Sequence, residues 1–168
     1  MNAARIAFLL TGVVATALLA VTAVAKAPVR LSYNATESAA VGFYSVARPG
    51  QIRVSDQVLS WLPPPIADLA DQRRYVPATI PVLKTLAAGP GDVVCRMGAE
   101  VSIDGLSVAR TRSLDRAGRP LPVWSGCYRL SLGQIFLLGP NPSSFDGRYF
   151  GPTPAALILG RARPLWTW

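Results

Sequence analysis

The stretch Ile80-Pro81-Val82-Leu83-Lys84-Thr85-Leu86-Ala87-Ala88-Gly89-Pro90-Gly91-Asp92-Val93-Val94 sets the pattern of the whole chain. A short apolar run stops at a Gly-Pro-Gly-Asp turn signal, and a second apolar run starts directly after it. Runs of this length bounded by Gly, Pro and Asp read as strands. They predict strands over Ile80–Ala87 and Asp92–Met97. The same rhythm predicts strands over Val41–Ala47, Gln57–Leu62, Tyr128–Leu132, Gln134–Leu138 and Ala156–Leu159. Val101–Val108 carries Asp104-Gly105 between two alternating runs, the strongest hairpin signal in the chain, because a two-residue turn of this kind needs positive φ. Pro63-Pro64-Pro65 stops one strand. Asp68–Arg74 reads as a short helical turn or a charged loop, and Arg110–Arg119 as a solvated basic loop. With no internal repeat and no heptad, the expected class is mainly β.

At 168 residues the chain has room for one domain with a real core. From Ile6 to Ala25 there is no charge. A helix of that length spans about 30 Å, one hydrocarbon thickness. The expected organisation is a membrane anchor or signal segment over 1–27, followed by an exported domain over 28–168. The length of the uncharged stretch favours a retained anchor, while Ala23-Val24-Ala25 resembles a small-x-small cleavage site and favours removal. A buried core helix is the plain alternative. Arg5 lies before the segment and Lys26 and Arg30 after it, so charge does not set the orientation.

Seventeen basic residues face nine acidic ones, for a net charge of +8. The arginines are scattered. The densest group, Arg110, Arg112, Arg116 and Arg119, is interleaved with Asp115 and has no aromatic partners, so no nucleic-acid partner is expected. Anionic lipid headgroups, or water alone, are the expected neighbours of the surplus charge. Cys95 and Cys127 are a disulfide candidate for an exported domain, which would contribute roughly 3–4 kcal/mol by loop closure; two buried free thiols are the alternative.

Histidine is absent. That excludes a Ser-His-Asp triad, a Cys-His pair and any His-ligated metal. Two cysteines cannot make a four-thiolate zinc site, and neither metal nor cofactor is expected. A serine activated by a lysine stays available, provided the amine can be neutral. Burial achieves this by disfavouring the ammonium. The chain has only two lysines, Lys26 and Lys84, and Lys84 is the only charge in its apolar run. On composition it is either an edge-strand gatekeeper pointing at water or a functional amine in an apolar site.

The flanks carry a resemblance. Upstream stands Asn34-Ala35-Thr36-Glu37-Ser38-Ala39-Ala40-Val41-Gly42-Phe43-Tyr44, and downstream Gly139-Pro140-Asn141-Pro142-Ser143-Ser144-Phe145-Asp146-Gly147-Arg148-Tyr149-Phe150-Gly151. An apolar segment, a serine, a lysine followed by P-G-D and a G-x-N…S-x-D-x-R-x-x-G box, in this order, resemble the signal peptidase I family of membrane-anchored serine proteases. The likeness is to its TraF branch of conjugative-transfer peptidases, and runs from about Asn34 to Gly151. It implies a single signal-peptidase-like, or LexA-like, β domain behind one N-terminal transmembrane helix.

By matching positions, the resemblance implies Ser38 as nucleophile and Lys84 as general base. It implies an oxyanion hole made by the Ser38 N–H and the Thr36 hydroxyl. Ser144 would orient the lysine, and Asp146 and Arg148 would buttress the site. Gly42 would allow a tight backbone path. The sequence departs from the family pattern at Pro140, in place of an aspartate, at Gly147, in place of a serine, and at Ala39 and Ala40, in place of methionine and a nearby proline. The implied substrate is an exported precursor cut after small side chains at the membrane surface. In the TraF branch this is a conjugative pilin precursor, matured by hydrolysis or ring closure beside a conjugation or secretion apparatus, in a bacterial inner membrane with the catalytic domain in the periplasm. A housekeeping signal peptidase, a degenerate membrane-tethered assembly protein and a self-cleaving repressor-like protein are the competing readings.

Overall fold

The computed structural model describes residues 10–17, 30–50 and 52–168. Residues 10–17 are helical (α1) and exposed. Among the described residues no helix is long and apolar enough to cross a membrane. Most of the Ile6–Ala25 segment, and the boundary at 27/28, lie outside the described residues.

The rest is mainly β, as the turn-punctuated runs predict. In chain order the elements are β1 (Leu31–Asn34), β2 (Gly42–Ala47), β3 (Gln57–Ser60), α2 (Pro64–Gln72), β4 (Val82–Ala88), β5 (Val93–Met97), β6 (Glu100–Ile103), β7 (Leu106–Arg110), β8 (Gly126–Arg129), β9 (Gln134–Leu138), α3 (Gly147–Phe150), β10 (Thr153–Pro154) and β11 (Ile158–Thr167). A seven-stranded sheet runs β1-β2-β11-β3-β4-β9-β10, and a four-stranded sheet runs β7-β6-β5-β8. Gly89-Pro90-Gly91-Asp92 is the crossing point between them: β4 ends in the first sheet and β5 begins in the second. The Asp92 carboxylate closes that turn by accepting from the Gly89 N–H at 2.9 Å.

The core follows the sheets. Ala88, Val94, Val101, Leu130, Phe136 and Leu138 form a buried cluster that joins the two sheets. A second cluster, Ala39, Tyr44, Leu83 and Ala162, fastens the loop after β1 to β4. Asp104 and Gly105 take positive φ (49° and 80°) in the hairpin turn, as the Asp-Gly pair requires. Cys95 and Cys127 face each other on β5 and β8 and are joined by a disulfide.

Four features differ from the sequence reading. The prolines at 63–65 start a helix as well as stopping a strand, because proline suits the first helical positions, so α2 begins at Pro64 rather than near Asp68. Strand β8 starts two residues earlier than expected and ends at Arg129 rather than Leu132. Strand β11 runs to Thr167 and pairs with both β2 and β3 through register shifts. The 110–119 loop is tethered: the Asp115 carboxylate accepts from the Tyr75 hydroxyl at 2.5 Å and from Arg119 Nε at 2.7 Å. The Tyr75 hydrogen bond, with help from Arg119, holds the Asp115 carboxyl well below the usual carboxylate range.

Candidate active site

Lys84 lies mid-strand on β4, between β3 and β9, where the register places it opposite Val58. An edge-strand gatekeeper would reach water, but Lys84 is only 4 % exposed. Its Nζ donates to the Ser144 hydroxyl at 2.6 Å. Burial pushes the amine down to about 8; the nearby Asp146 carboxylate pulls it up and the Arg148 guanidinium pushes it down. The two charged neighbours oppose each other, so exclusion of water dominates.

Ser144 is held where it is by the chain between β9 and α3. Its N–H donates to the Asn141 carbonyl at 3.0 Å. Gly139 leaves the room: a Cβ there would collide with Ser144 Oγ and stand 3.1 Å from the Ser38 carbonyl oxygen. Ser144 and the Ser38 backbone therefore pack against the same side of Gly139.

Behind Ser144, Asp146 is fully buried and Arg148 nearly so. Arg148 Nε donates to Asp146 Oδ1 at 2.8 Å and its second terminal nitrogen to Oδ2 at 3.0 Å. The same guanidinium holds the Pro142 and Gly139 carbonyls, both at 2.9 Å, while Asp146 Oδ2 accepts the Gly139 N–H at 2.7 Å. This bidentate pair spends its remaining hydrogen-bonding capacity on the loop that carries Ser144. The glycine at 147 has a steric reason: a Cβ would lie 2.7 Å from the Leu137 carbonyl oxygen and 3.0 Å from the Phe136 ring.

Ser38 sits in the turn between β1 and β2, half-buried, with Thr36 exposed beside it. Their hydroxyls are 2.8 Å apart. The cluster of Ala39 with Leu83 brings this turn onto β4 at the residue before Lys84. Ser38 Oγ and Lys84 Nζ are not hydrogen-bonded to each other: the first is engaged with Thr36 and the second with Ser144. Glu37 accepts from Asn141 Nδ2 at 3.5 Å, closing one side. A shallow groove of about 440 Å³ adjoins the turn, lined by Glu37, Ala39, Val41, Pro140, Asn141 and Trp168 among others. Gly42, at φ 144°, lets the chain leave the turn against β11, where a Cβ would strike the Trp166 carbonyl and lie 2.7 Å from the Thr167 Cα.

Two supporting groups were given no role by the sequence reading. Asn34 is buried and hydrogen-bonds the turn from within (detailed below); its signal was the habit of Asn side chains of bonding to nearby backbone. Arg96 is 4 % exposed, and its guanidinium donates to the Arg148 carbonyl at 3.0 Å. Nothing in the local sequence marks Arg96 as inward-facing. Among the described residues no cluster of His, Cys, Asp and Glu could hold a metal ion.

The arrangement is that of a hydroxyl and a buried, partly neutral amine on adjoining elements, the amine backed by a serine and an ion pair. Residues 3–168 match the family described as "Signal peptidase, peptidase S26", and the chain belongs to that family of peptidases. Among relatives, it is 30% identical over 145 residues to "Probable conjugal transfer protein TraF" of Sinorhizobium fredii (strain NBRC 101917 / NGR234), covering 80% of this chain and 76% of that one. It is 36% identical over 91 residues to "Plasmid transfer protein TraF" of Escherichia coli, where the match spans 52% of this chain and about half (51%) of the relative. A signal peptidase I crystal structure from Enterococcus faecalis V583 aligns over 70% of this chain and 98% of its own, with 20% identity and a TM-score of 0.38.

Proposed function

We propose that this chain is a membrane-anchored serine endopeptidase that uses Ser38 and Lys84 to remove leader segments from exported precursors, a conjugative pilin above all. The observation that carries the reading is the buried amine of Lys84, lowered to about 8, on the strand against which the Ser38 turn packs. At pKa 8 about a tenth of the amine is neutral at pH 7, and a substrate covering the site would increase that share.

In the proposed reaction the Ser38 hydroxyl leaves Thr36 and gives its proton to neutral Lys84 Nζ as Oγ adds to the scissile carbonyl carbon. The oxyanion is received by the Ser38 N–H and the Thr36 hydroxyl. The C–N bond breaks as Lys84, now an ammonium, protonates the leaving amine. The acyl group on Ser38 then passes to water, or to the amino terminus of the substrate itself, which closes a ring. Ser144 keeps the amine aimed throughout, and Asp146 with Arg148 keeps Ser144 in place.

The proposed setting rests on the uncharged stretch from Ile6 to Ala25 and on the family resemblance. Residues 1–27 anchor the chain in a bacterial inner membrane, and 28–168 form the periplasmic domain, facing the emerging precursor and its lipid surroundings. The conjugal-transfer names of the relatives support a role beside a conjugation apparatus. The test is co-expression with a pilin precursor from the same bacterium, read by mass spectrometry. Wild type yields the shortened product, lighter by one further water if the ring closes. Ser38→Ala and Lys84→Arg yield uncut precursor, since a guanidinium cannot serve as base. Cutting by either variant refutes the reading.

A further inference from the structure

Asn34, the last residue of β1, spends its whole side chain on the Ser38 turn. Its Nδ2 donates to the Thr36 carbonyl at 2.8 Å, to the Ala39 carbonyl at 3.1 Å and to the Ala40 carbonyl at 3.0 Å. Its Oδ1 accepts from the Thr36 N–H at 3.3 Å and from the Thr36 hydroxyl at 3.1 Å. Tyr44 adds a second tie to the Ala40 carbonyl, at 2.7 Å.

One arrangement of protons satisfies both hydroxyl contacts of Thr36. A carboxamide oxygen only accepts, so the single hydroxyl proton of Thr36 points to Asn34. Thr36 Oγ1 is then left as acceptor for its other neighbour, and the Ser38 proton points to Thr36. In this resting arrangement the oxyanion donor faces away from any substrate carbonyl, and the proton that Lys84 must take is held elsewhere.

We propose that Asn34 is a positioning residue: it fixes the turn that presents Ser38 and, through Thr36, sets where the two hydroxyl protons point between turnovers. This rests on the peptidase reading above. When a substrate carbonyl enters, its developing oxyanion takes the Thr36 proton from Asn34, which frees Ser38 to donate to Lys84. Asn34 keeps the Thr36 N–H and the three carbonyls during that exchange, so the turn holds its shape.

The test uses the full chain in detergent micelles and a precursor peptide with alanine at the first and third positions before the bond. Asn34→Ala should lower kcat roughly 10–100-fold with KM little changed, because no contact to substrate is removed. Asn34→Asp, of the same shape but without the amide donor, serves as the second variant and should also lose kcat. Because Asn34 acts through Thr36, the loss in Asn34→Ala combined with Thr36→Val should fall well short of the product of the two single losses. Tyr44→Phe, which removes one tie to the turn without touching Thr36, should lower kcat clearly less than Asn34→Ala does. The proposal is overturned by a folded Asn34 variant with wild-type kcat, by losses that multiply, or by a Tyr44→Phe loss as large as that of Asn34→Ala. Failure of both Asn34 variants to fold also overturns it, in favour of a purely structural role. Ser38→Ala separates the two readings: if it still cuts the peptide, the peptidase reading itself has failed.

Discussion

Ser144 Oγ accepts from Lys84 Nζ at 2.6 Å across 60 residues of sequence, with both side chains shut off from water. A hydroxyl can serve either protonation state of the amine, as acceptor from the ammonium or as donor to the neutral lone pair. The contact can therefore persist while the proton comes and goes.

The first consequence concerns pH. Burial places the Lys84 amine near 8 in the free protein. The kcat/KM for precursor cleavage should rise tenfold per pH unit below about pH 8 and level off above it. A profile already flat from pH 5 would exclude Lys84 as the base.

The second concerns stability. The folded amine titrates near 8 and the unfolded one near 10.5. Below pH 8 both states are protonated and the fold bears the full cost of burying an ammonium. Between about 8 and 10.5 the folded state gives up its proton first, so stability rises with pH. Lys84→Met should be inactive yet more stable at pH 7, by about 1–3 kcal/mol, and its advantage should shrink across that window. Denaturant titrations at pH 7 and pH 10 measure both; a variant less stable than wild type at pH 7 contradicts the argument.

Two glycines give a third prediction. Gly139→Ala pushes into Ser144 Oγ and should cut kcat at least tenfold while the chain stays folded. Gly147→Ser adds a side chain that meets the Leu137 carbonyl and the Phe136 ring. It should lower stability by about 1–3 kcal/mol. Thermal melts alongside rates would separate the two effects, and a fully active Gly139→Ala would show that Ser144 can move aside at no cost.

The fourth prediction separates scaffold from chemistry. The Cys95–Cys127 bridge lies in the four-stranded sheet, away from Ser38 and Lys84 in the strand order. Changing both cysteines to serine should remove about 2–4 kcal/mol of stability. The molecules that stay folded should keep their kcat. Unchanged melting under oxidising conditions would mean that the bridge does not form in the protein.

Much of this was legible from local signals. The hairpin at 101–108 announced itself because Asp-Gly suits two positive-φ positions, and β4 and β5 because Gly-Pro-Gly-Asp cuts one apolar run from the next. The lysine stood out as a lone charge in grease, and only the burial of β4 between β3 and β9 distinguishes it from a water-facing gatekeeper. Strand β11 was mostly hidden: Gly160 and Pro164 interrupt its pattern, and its length comes from pairing with two partners through register shifts. Likewise β1 is too short to show a period. Arg96 was invisible for a different reason, since its inward turn is decided by distant carbonyls at Pro122 and Arg148.

Asp146 and Arg148 have a consequence that reaches past their own bond. Because their fields on Lys84 oppose each other, the proton affinity of that amine answers mainly to how much water can approach it. In the proposed reaction a precursor laid over the cleft would shut out what little water still approaches the amine, lowering its proton affinity further and raising the share present as the neutral form. An empty cleft lets the amine idle in its charged form. Such a protease would be armed by its own cargo, and would spare neighbouring proteins that brush past without seating themselves.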